Sequence, residues 1–318
     1  MTLVALDHRL QAPTLAGLAA QVGNTPLLPL TRLEAGLPRA VQLLAKAEWF
    51  TPGGSVKDRP ALAILRSALA QGRLGRGERL LDSTSGNMGI SYATFGASLG
   101  IAVTLAMPSN ASPERIAILR ALGAGLILTD PAEGSDGATR TVRRMAQEEP
   151  GRYFYANQYD NPANWQAHYQ TTGPEIIAQS SGAVTHFVAG LGTSGTLMGV
   201  GRALKEFNPG IQLVAVQPDG PFHGLEGLKH MASALRPGIY DPDLPDQVVE
   251  VRTEAAYAMV RALARQEGLF VGISSGAAAV AALQLARTLQ QGVVVTLFPD
   301  AGYKYLSDRE LWHPEAPE

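Results

Sequence analysis

Short apolar runs alternate with segments of helical periodicity along most of the chain. The apolar runs predict buried strands at residues 41–45, 80–81, 102–107, 126–129, 153–156, 186–189, 213–216, 248–251 and 293–298. Between most of them, apolar residues recur at the 3.6-residue spacing of a helix, as at 61–70, 116–122 and 255–264. Strands separated by helices are typical of parallel sheets with helices on both faces, so the pattern predicts an α/β protein.

The chain has 318 residues, which is long enough for two domains. The first five predicted strands favour a smaller domain at residues 40–155, and the remaining strands favour a larger domain made of residues 1–39 and 156–318. Periodicity fails between residues 219 and 246, where Pro, Gly and Asp accumulate. A stretch of this length without regular structure is usually functional or mobile.

Composition and charge narrow the class of protein. Hydrophobic residues make up 46% of the chain and charged residues 17%, which argues against disorder. The formal net charge of -2, without any block of like charges, favours neither nucleic acid nor an anionic membrane surface as a partner. The sequence shows no signal-peptide pattern and no run of about 18 apolar residues, so we expect a cytoplasmic protein.

Thiol and metal chemistry are not expected. Cysteine is absent, which removes disulfides, thiolate catalysis and cysteine metal sites together. The six histidines show no metal-ligand spacing, and His186 in an apolar strand is better explained as a core residue. We predict no metal site.

The lysine loop, residues 52–59, follows a predicted strand and opens a helix. Lys57 would lie at the positive end of the helix dipole, which disfavours the ammonium form, and burial would act in the same direction. Its amine could then be a neutral nucleophile near neutral pH. The same pattern also suits a solvated lysine in a first helical turn.

The small-polar loop, residues 84–89, also lies between a strand and a helix. Its backbone N–H groups and hydroxyls could hold a carboxylate at the helix N-terminus. The candidates for this contact are Thr84, Ser85, Gly86 and Met88. Asn87 could hydrogen-bond a ring substituent, although a well-capped connection without a ligand would use the same residue types.

The glycine loop, residues 190–196, follows a strand and precedes a helix. It could cradle a phosphate dianion. The candidates are Gly192, Thr193, Ser194, Gly195 and Thr196. The loop also matches the dinucleotide fingerprint, with Asp219 roughly where a ribose-binding acid would fall. It begins past the midpoint of the chain, however, whereas that fingerprint should open a nucleotide domain.

The serine loop, residues 272–276, fits the nucleophile-elbow pattern, and Asp300 and His313 follow in hydrolase order. Only 44 residues follow Ser274, which is too few for the strands that an α/β-hydrolase needs beyond its nucleophile. Ser274 could instead cap the next helix, or direct its hydroxyl to a heteroaromatic nitrogen.

Together the four loops offer an amine for a Schiff base, a phosphate cradle, a carboxylate seat and a partner for a ring nitrogen. A pyridoxal-phosphate site for amino acids requires these four features. Further segments complete the pattern: GNTPL at 23–27, NPAN at 161–164, TTGPE at 171–175 and DAGYKYLS at 300–307.

With these segments in this order and spacing, nearly the whole chain resembles the cysteine synthase (O-acetylserine sulfhydrylase) family of fold-type-II pyridoxal-phosphate enzymes, and most closely its cysteine synthase B branch. The resemblance implies a tryptophan synthase β-like fold. In such a fold two domains, each a mainly parallel twisted sheet flanked by helices, hold the cofactor in the cleft between them. It also implies a homodimer.

The resemblance implies a role for each candidate residue. Lys57 would hold pyridoxal 5′-phosphate as a Schiff base and act as the base and acid at Cα. Asn87 would bond the ring oxygen of the cofactor, Ser274 would face its pyridine nitrogen, and the glycine loop would hold its phosphate. The small-polar loop and Gln158 would seat the substrate carboxylate, and the smaller domain would move to close over it.

The implied reaction is β-replacement, in which O-acetylserine and sulfide give cysteine and acetate. The chain departs from the family at Met88, where Thr is usual, so one hydroxyl for the substrate carboxylate is missing. Some family members prefer O-phosphoserine and read its phosphate with an arginine where we place Asp219. An acidic residue there should repel a phosphorylated substrate and favour O-acetylserine, although His223, Lys229 and His230 lie nearby.

Four alternatives stay open at this point. They are an O-phosphoserine sulfhydrylase using sulfide or a thiocarboxylated sulfur-carrier protein, a cystathionine β-synthase, a non-catalytic protein retaining the fold, and an NAD-dependent oxidoreductase. Lys57 together with all the cofactor loops argues against the non-catalytic protein. The likeness to cysteine synthase B does not favour a complex with serine acetyltransferase.

Overall fold

The computed structural model describes residues 16–75 and 77–313. The strands are β1 (Leu27–Pro29), β2 (Val41–Ala47), β3 (Arg79–Ser83), β4 (Val103–Pro108), β5 (Gly125–Thr129), β6 (Tyr153–Tyr155), β7 (His186–Gly190), β8 (Gln212–Pro218), β9 (Gln247–Val251) and β10 (Gly292–Phe298). Every predicted strand is present, with ends that agree to within two residues. The short strand β1 was not predicted, because three residues are too few to show a period.

The helices connect these strands and also agree with the predicted pattern. They are α1 (Ala16–Ala19), α2 (Asp58–Ala70), α3 (Asn87–Leu99), α4 (Pro113–Ala121), α5 (Gly134–Glu148), α6 (Ala163–Ala167), α7 (Gly173–Gln179), α8 (Gly195–Phe207), α9 (Thr253–Ala262), α10 (Ile273–Ala286) and α11 (Arg309–Trp312). Short 3₁₀ turns lie at Pro131–Glu133 and Gly302–Tyr305, and π-helical turns at His168–Thr172 and Leu263–Glu267.

The strands form two sheets. The larger has six strands in the order β1-β2-β10-β7-β8-β9, and the smaller has four in the order β5-β4-β3-β6. All neighbouring strands are parallel except β1, which runs antiparallel to β2. The prediction of an α/β protein with two mainly parallel sheets is confirmed.

Strand β2 lies in a different sheet from the one that the predicted boundary at residue 40 implies. It pairs with β10 along its whole length, from Val41 opposite Gly292 to Ala47 opposite Phe298. The strands of the smaller sheet therefore begin at β3 rather than at β2. An apolar strand buried on both faces fits either sheet, so the position of β2 along the chain was a poor guide to its partner. The division into two domains stays a prediction.

The sheet order brings three loops together. Strands β2, β10 and β7 are adjacent and parallel, so the segments that follow their carboxyl ends meet at one edge of the sheet. These segments are the lysine loop, residues 299–305 and the glycine loop. In open α/β sheets, ligands bind at this edge. Helix α10 packs against β10 and is buried almost all round, which places its first turn at the same edge.

Candidate active site

A cavity of about 290 Å³ lies where the loops of the two sheets meet. Most of the predicted site residues line it: Lys57, Thr84, Ser85, Asn87, Met88, Gln158, Gly192, Thr193, Thr196 and Ser274. Gly86, Ser194 and Gly195 belong to the same loops but are not part of the lining. Residues from five separate stretches of the sequence therefore share one pocket.

Lys57 stands at the N-cap position of α2, with its half-buried side chain on the pocket. Burial lowers the pKa of Lys57 to about 8, and the nearby charges of Asp300 and Glu48 oppose this shift. Asp58 fixes the loop behind it, since its buried carboxylate accepts from Gly53 N at 2.6 Å. The structure thus presents an amine that loses its proton more readily than an ordinary lysine.

Hydrogen bonds within the small-polar loop fix its conformation. Thr84 Oγ1 accepts from Gly86 N at 2.9 Å and from Gly89 N at 3.0 Å, so its own proton is left to donate. Gly86 has a φ of 146°, and a Cβ there would clash with the Arg115 side chain. Helix α3 begins directly afterwards, so its first N–H groups and its positive dipole end lie at the pocket. A carboxylate would be stabilised there.

Gln158 and Met88 line the pocket beside the small-polar loop. Gln158 Nε2 donates to Ser83 O at 2.5 Å, and its backbone N donates to Asp82 Oδ2 at 3.2 Å. Burial raises the pKa of Asp82 to about 7. Met88 is buried in the hydrophobic cluster of the smaller sheet as well as lining the pocket, so it contributes an apolar surface where the family usually has the hydroxyl of Thr.

The glycine loop has the features of a phosphate cradle. Ser194 adopts a left-handed backbone with φ 68°, which is uncommon for a non-glycine residue, and its buried Oγ has no hydrogen-bond partner among the described residues. Helix α8, thirteen residues long, begins at Gly195. A Cβ at Gly192 would clash with the Gly227 carbonyl oxygen, so the close approach requires glycine. An unpaired hydroxyl at a helix N-terminus suits the phosphate of a cofactor.

Ser274 lies in the first turn of α10 and lines the pocket, but it does not belong to a catalytic triad. The Asp300 carboxylate accepts from Asn87 Nδ2 and from Tyr305 OH, and His313 is exposed. The hydroxyl of Ser274 is therefore available to a ligand in the pocket.

Arg115 and Glu226 are functional candidates that the sequence reasoning missed. They form an ion pair at the pocket, and the Arg115 guanidinium stacks over the Tyr305 ring at 4.5 Å. Arg115 Nη1 also donates to Ser85 O at 3.3 Å, which braces the small-polar loop. Because Arg115 belongs to α4 and Glu226 follows β8, the pair joins the two sides of the cavity.

Lys229 and Asp136 form a second bridge of the same kind. Lys229 Nζ donates to Asp136 Oδ1 at 2.7 Å and lies 5.0 Å from the centre of the Tyr159 ring. Leu235 N donates to the other oxygen of Asp136 at 2.7 Å. The stretch without periodicity that was predicted at residues 219–246 is thereby anchored to helix α5.

One signal could have found several lining residues that the sequence analysis had not assigned to the pocket. Several lie beyond the carboxyl ends of parallel strands, where ligands bind in open α/β sheets: Asn110 after β4, Tyr159 after β6, and His223, Glu226 and Lys229 after β8. Arg115 lies further on, inside α4, and no pattern in the sequence marked it.

The acidic residue that faces the pocket is Glu226 rather than Asp219. Asp219 is exposed and lies outside the lining, so the structure gives no support to the expected repulsion of a phosphate by Asp219. Of the two histidines nearby, His230 is hydrogen-bonded to Ser233 and lies outside the lining. His223 lines the pocket, and burial lowers its pKa. A neutral His223 adds no positive charge for a phosphorylated substrate.

Residues 16–75 and 77–313 contain no group of three or more His, Cys, Asp or Glu side chains that could hold a metal ion. Within the same residues, no helix is long and apolar enough to cross a membrane.

Comparison with known proteins gives a consistent result. A family model described as "Pyridoxal-phosphate dependent enzyme" matches residues 18–300. Cysteine synthase from Aquifex aeolicus is 53% identical over 291 residues, covering 90% of this chain and 89% of that protein. Cysteine synthase B from Pseudomonas aeruginosa is 43% identical over 298 residues, covering 93% and 97%. The crystal structure of cysteine synthase from Entamoeba histolytica has a TM-score of 0.89 at 35% identity, covering 100% of this chain and 95% of that one.

Proposed function

The chain belongs to the family of pyridoxal-phosphate dependent enzymes, and we propose that it acts as a cysteine synthase, which converts O-acetyl-L-serine and hydrogen sulfide to L-cysteine and acetate. One observation carries the proposal. A lysine whose pKa is lowered to about 8 shares a single cavity with the glycine loop, with Asn87 and with Ser274.

The pocket residues fit the cofactor. The unpaired Ser194 hydroxyl and the start of α8 suit a phosphate, and Lys57 supplies an amine for covalent attachment. Asn87 and Ser274 line the same pocket, so they could take the roles at the ring oxygen and the ring nitrogen that the resemblance implies. Pyridoxal phosphate, when bound, supplies a sink for the electrons released at Cα of an amino acid.

The chain's own groups then supply binding and proton transfer. The N-terminus of α3, Thr84 and Gln158 seat the carboxylate of the amino acid, which fixes its Cα. Lys57 takes the Cα proton and later returns it, because a base whose pKa lies near the operating pH serves in both directions. Acetate leaves from Cβ, and the sulfur of hydrogen sulfide adds there.

The charges in the pocket favour O-acetylserine over O-phosphoserine. Lys229 in the lining is paired with Asp136. Arg115, outside the lining, is paired with Glu226, which does line the pocket. A phosphorylated substrate would have to break these pairs before it could use the cations. The acetyl group of O-acetylserine carries no charge, so this substrate can bind without breaking the ion pairs.

The visible spectrum of the purified protein tests the proposal. We expect an absorbance band from the Lys57-bound cofactor that changes when O-acetylserine is added and returns when sulfide follows. A response to O-phosphoserine alone would overturn the substrate assignment and favour a carrier protein as sulfur donor. A protein that shows no such band after incubation with pyridoxal phosphate would not be an enzyme of this kind.

Three further expectations belong to this proposal. They are assembly as a homodimer, a cytoplasmic location, and movement of the smaller domain over the bound substrate. Each comes from the sequence and the resemblance. A thiocarboxylated sulfur-carrier protein stays an alternative donor, which the spectral test with sulfide addresses directly.

A further inference from the structure

The segment that follows β10, residues 299–305, contacts three of the four loops, and we call it the late segment. Pro299 O accepts from Val56 N in the lysine loop at 2.8 Å. Asp300 O accepts from Gly272 N in the serine loop at 3.0 Å. The side chains of Asp300 and Lys304 both reach Asn87 in the small-polar loop. The resemblance includes this segment but assigns it no role.

Lys304 is almost completely buried, with 1% of its surface exposed. Its ammonium donates to Asn87 Oδ1 at 2.8 Å, to Gly54 O at 2.9 Å and to Gly53 O at 3.2 Å. An ammonium group has three hydrogens, so all of its donors are used. A single side chain therefore ties the lysine loop to Asn87.

The partners of Asn87 allow only one orientation of its amide. An ammonium can only donate and a carboxylate can only accept, so the atom facing Lys304 is the oxygen and the atom facing Asp300 is the nitrogen. Asn87 Nδ2 donates to Asp300 Oδ2 at 2.7 Å. A turned amide would lose both hydrogen bonds and would set like partial charges against each other. The second hydrogen of Nδ2 is left for a ligand in the pocket.

We propose that Lys304 and Asp300 are positioning residues, which lock the Asn87 amide with one N–H free to donate to the ring oxygen of the cofactor. Lys304 holds Gly53 and Gly54 at the same time, so the amide and the Lys57 loop keep a fixed relation. The inference rests on the cofactor site proposed above. It assigns a task to two residues that do not themselves touch the reacting atoms.

The lock has a spectroscopic consequence. A donated N–H stabilises the deprotonated form of a ring oxygen, and that form absorbs in the visible range. If the amide could turn, its oxygen would face the ring oxygen instead. The deprotonated fraction would then fall, and absorbance would move from the visible to the near-ultraviolet band.

The test is the Lys304→Met variant, which keeps most of the side-chain volume and removes the donors. In the cofactor-loaded protein we expect the ratio of visible to near-ultraviolet absorbance to fall. We expect the dissociation constant of the cofactor to rise by about tenfold, the usual effect of losing one charge-assisted hydrogen bond. In an Asn87→Ala background, Lys304→Met should leave the absorbance ratio unchanged, because the amide that it locks is gone.

Lys46→Met is the matched control. Lys46 is also fully buried and makes three hydrogen bonds or ion pairs. None of its partners lines the pocket, whereas Asn87, the partner of Lys304, does. Its loss should lower stability without changing the absorbance ratio. Asp300→Ala removes the acceptor at the other end of the lock and should lower the ratio in the same direction, which keeps the inference testable if Lys304→Met fails to fold.

Two results would overturn the inference. One is a wild-type ratio in both Lys304→Met and Asp300→Ala, and the other is an equal fall in ratio for Lys304→Met with and without Asn87. A wild-type protein without a visible band would instead refute the proposed cofactor site, so the two failures are distinguishable.

Discussion

Two clusters of buried charge flank the lysine loop, and they are built differently. The arginine cluster consists of Lys46, Glu48, Arg59 and Glu175, and the pocket cluster consists of Lys57, Asn87, Arg115, Asp300 and Lys304. In the arginine cluster each charged group meets an opposite charge within 2.8 Å. In the pocket cluster, Arg115 Nε and Asp300 Oδ1 are buried without a hydrogen-bond partner among the described residues.

The arginine cluster joins segments that the resemblance includes but the pocket does not use. Arg59 of the lysine loop binds Glu48 with two nitrogens and Glu175 of the TTGPE segment with two. Thr25 of the GNTPL segment donates to Glu48 Oε1 at 2.5 Å. These contacts explain the GNTPL and TTGPE segments as supports of the loop that carries Lys57.

The difference between the clusters separates buried charges that stabilise the fold from buried charges that can bind a ligand. A fully paired network holds segments in register but has no capacity left for a ligand. Unpaired buried polar atoms are costly, so in a native protein they indicate a place where a ligand completes the pairing. The pocket cluster and the unpaired Ser194 hydroxyl are such places.

Replacing Lys57 should break the pocket cluster most severely. Lys57→Ala removes both the covalent anchor and the proton carrier, so we expect turnover to fall at least about a thousandfold, in line with the contribution of a positioned acid–base group. The visible band should disappear. The measurement is cysteine formation from O-acetylserine and sulfide, with the melting temperature as a check on folding. Retention of a tenth of wild-type turnover would contradict the assignment of Lys57.

Replacing Arg59 should damage stability and leave the pocket chemistry intact. Arg59→Met leaves the buried Glu48 and the half-buried Glu175 with fewer partners, so we expect the free energy of unfolding to fall by about 3–5 kcal/mol in denaturant titration. The absorbance ratio of the loaded protein should stay as in wild type. Arg140→Met, in an exposed pair with Glu133, is the control and should cost less than about 1 kcal/mol. A changed absorbance ratio in Arg59→Met would mean that the arginine cluster also affects the cofactor site, which would contradict the separation of the two clusters.

The pH dependence of stability should distinguish Lys57 as well. Its pKa is about 8 in the folded cofactor-free protein against an ordinary value of 10.5, so the unfolded chain binds more protons between these values. The free energy of unfolding should therefore increase as pH rises through this window. Burial of the charged Lys57 destabilises the folded protein fully below pH 8 and no longer does so above 10.5. Lys57→Met removes this cost, so its advantage over wild type should be largest below pH 8. Denaturant unfolding at a series of pH values measures this difference. A constant difference would refute the lowered pKa.

The smallest expected effect concerns substrate choice. Glu226→Gln removes the negative charge from the pocket lining and frees Arg115, so we expect the preference for O-acetylserine over O-phosphoserine to shrink by about tenfold in kcat/KM. Asp219→Asn is the control, because Asp219 is exposed and outside the lining, and it should leave the preference unchanged. The reverse result would restore the role that the sequence suggested for Asp219.

The fold and most of the site could be predicted from the sequence because both depend on short-range patterns. Periodicity predicted every strand except β1. Each glycine-rich or hydroxyl-rich turn between a strand and a helix predicted a helix N-terminus that can bind an anion. The loops that carry Lys57, Asn87, Gly192 and Ser274 were identified in this way, and the structure brings them to one cavity.

Other features required the tertiary structure, since they join residues that are distant in the sequence. The sheet membership of β2, the pairing of Arg115 with Glu226 and the contact of Lys304 with Asn87 each depend on which strands lie side by side. The sequence by itself determined the chemical groups and the turns that present them, because these follow from local backbone preferences. Only the packing of the two sheets decided which buried charges are paired and which stay free for a ligand, because the cost of burying a charge depends on all of its neighbours in space.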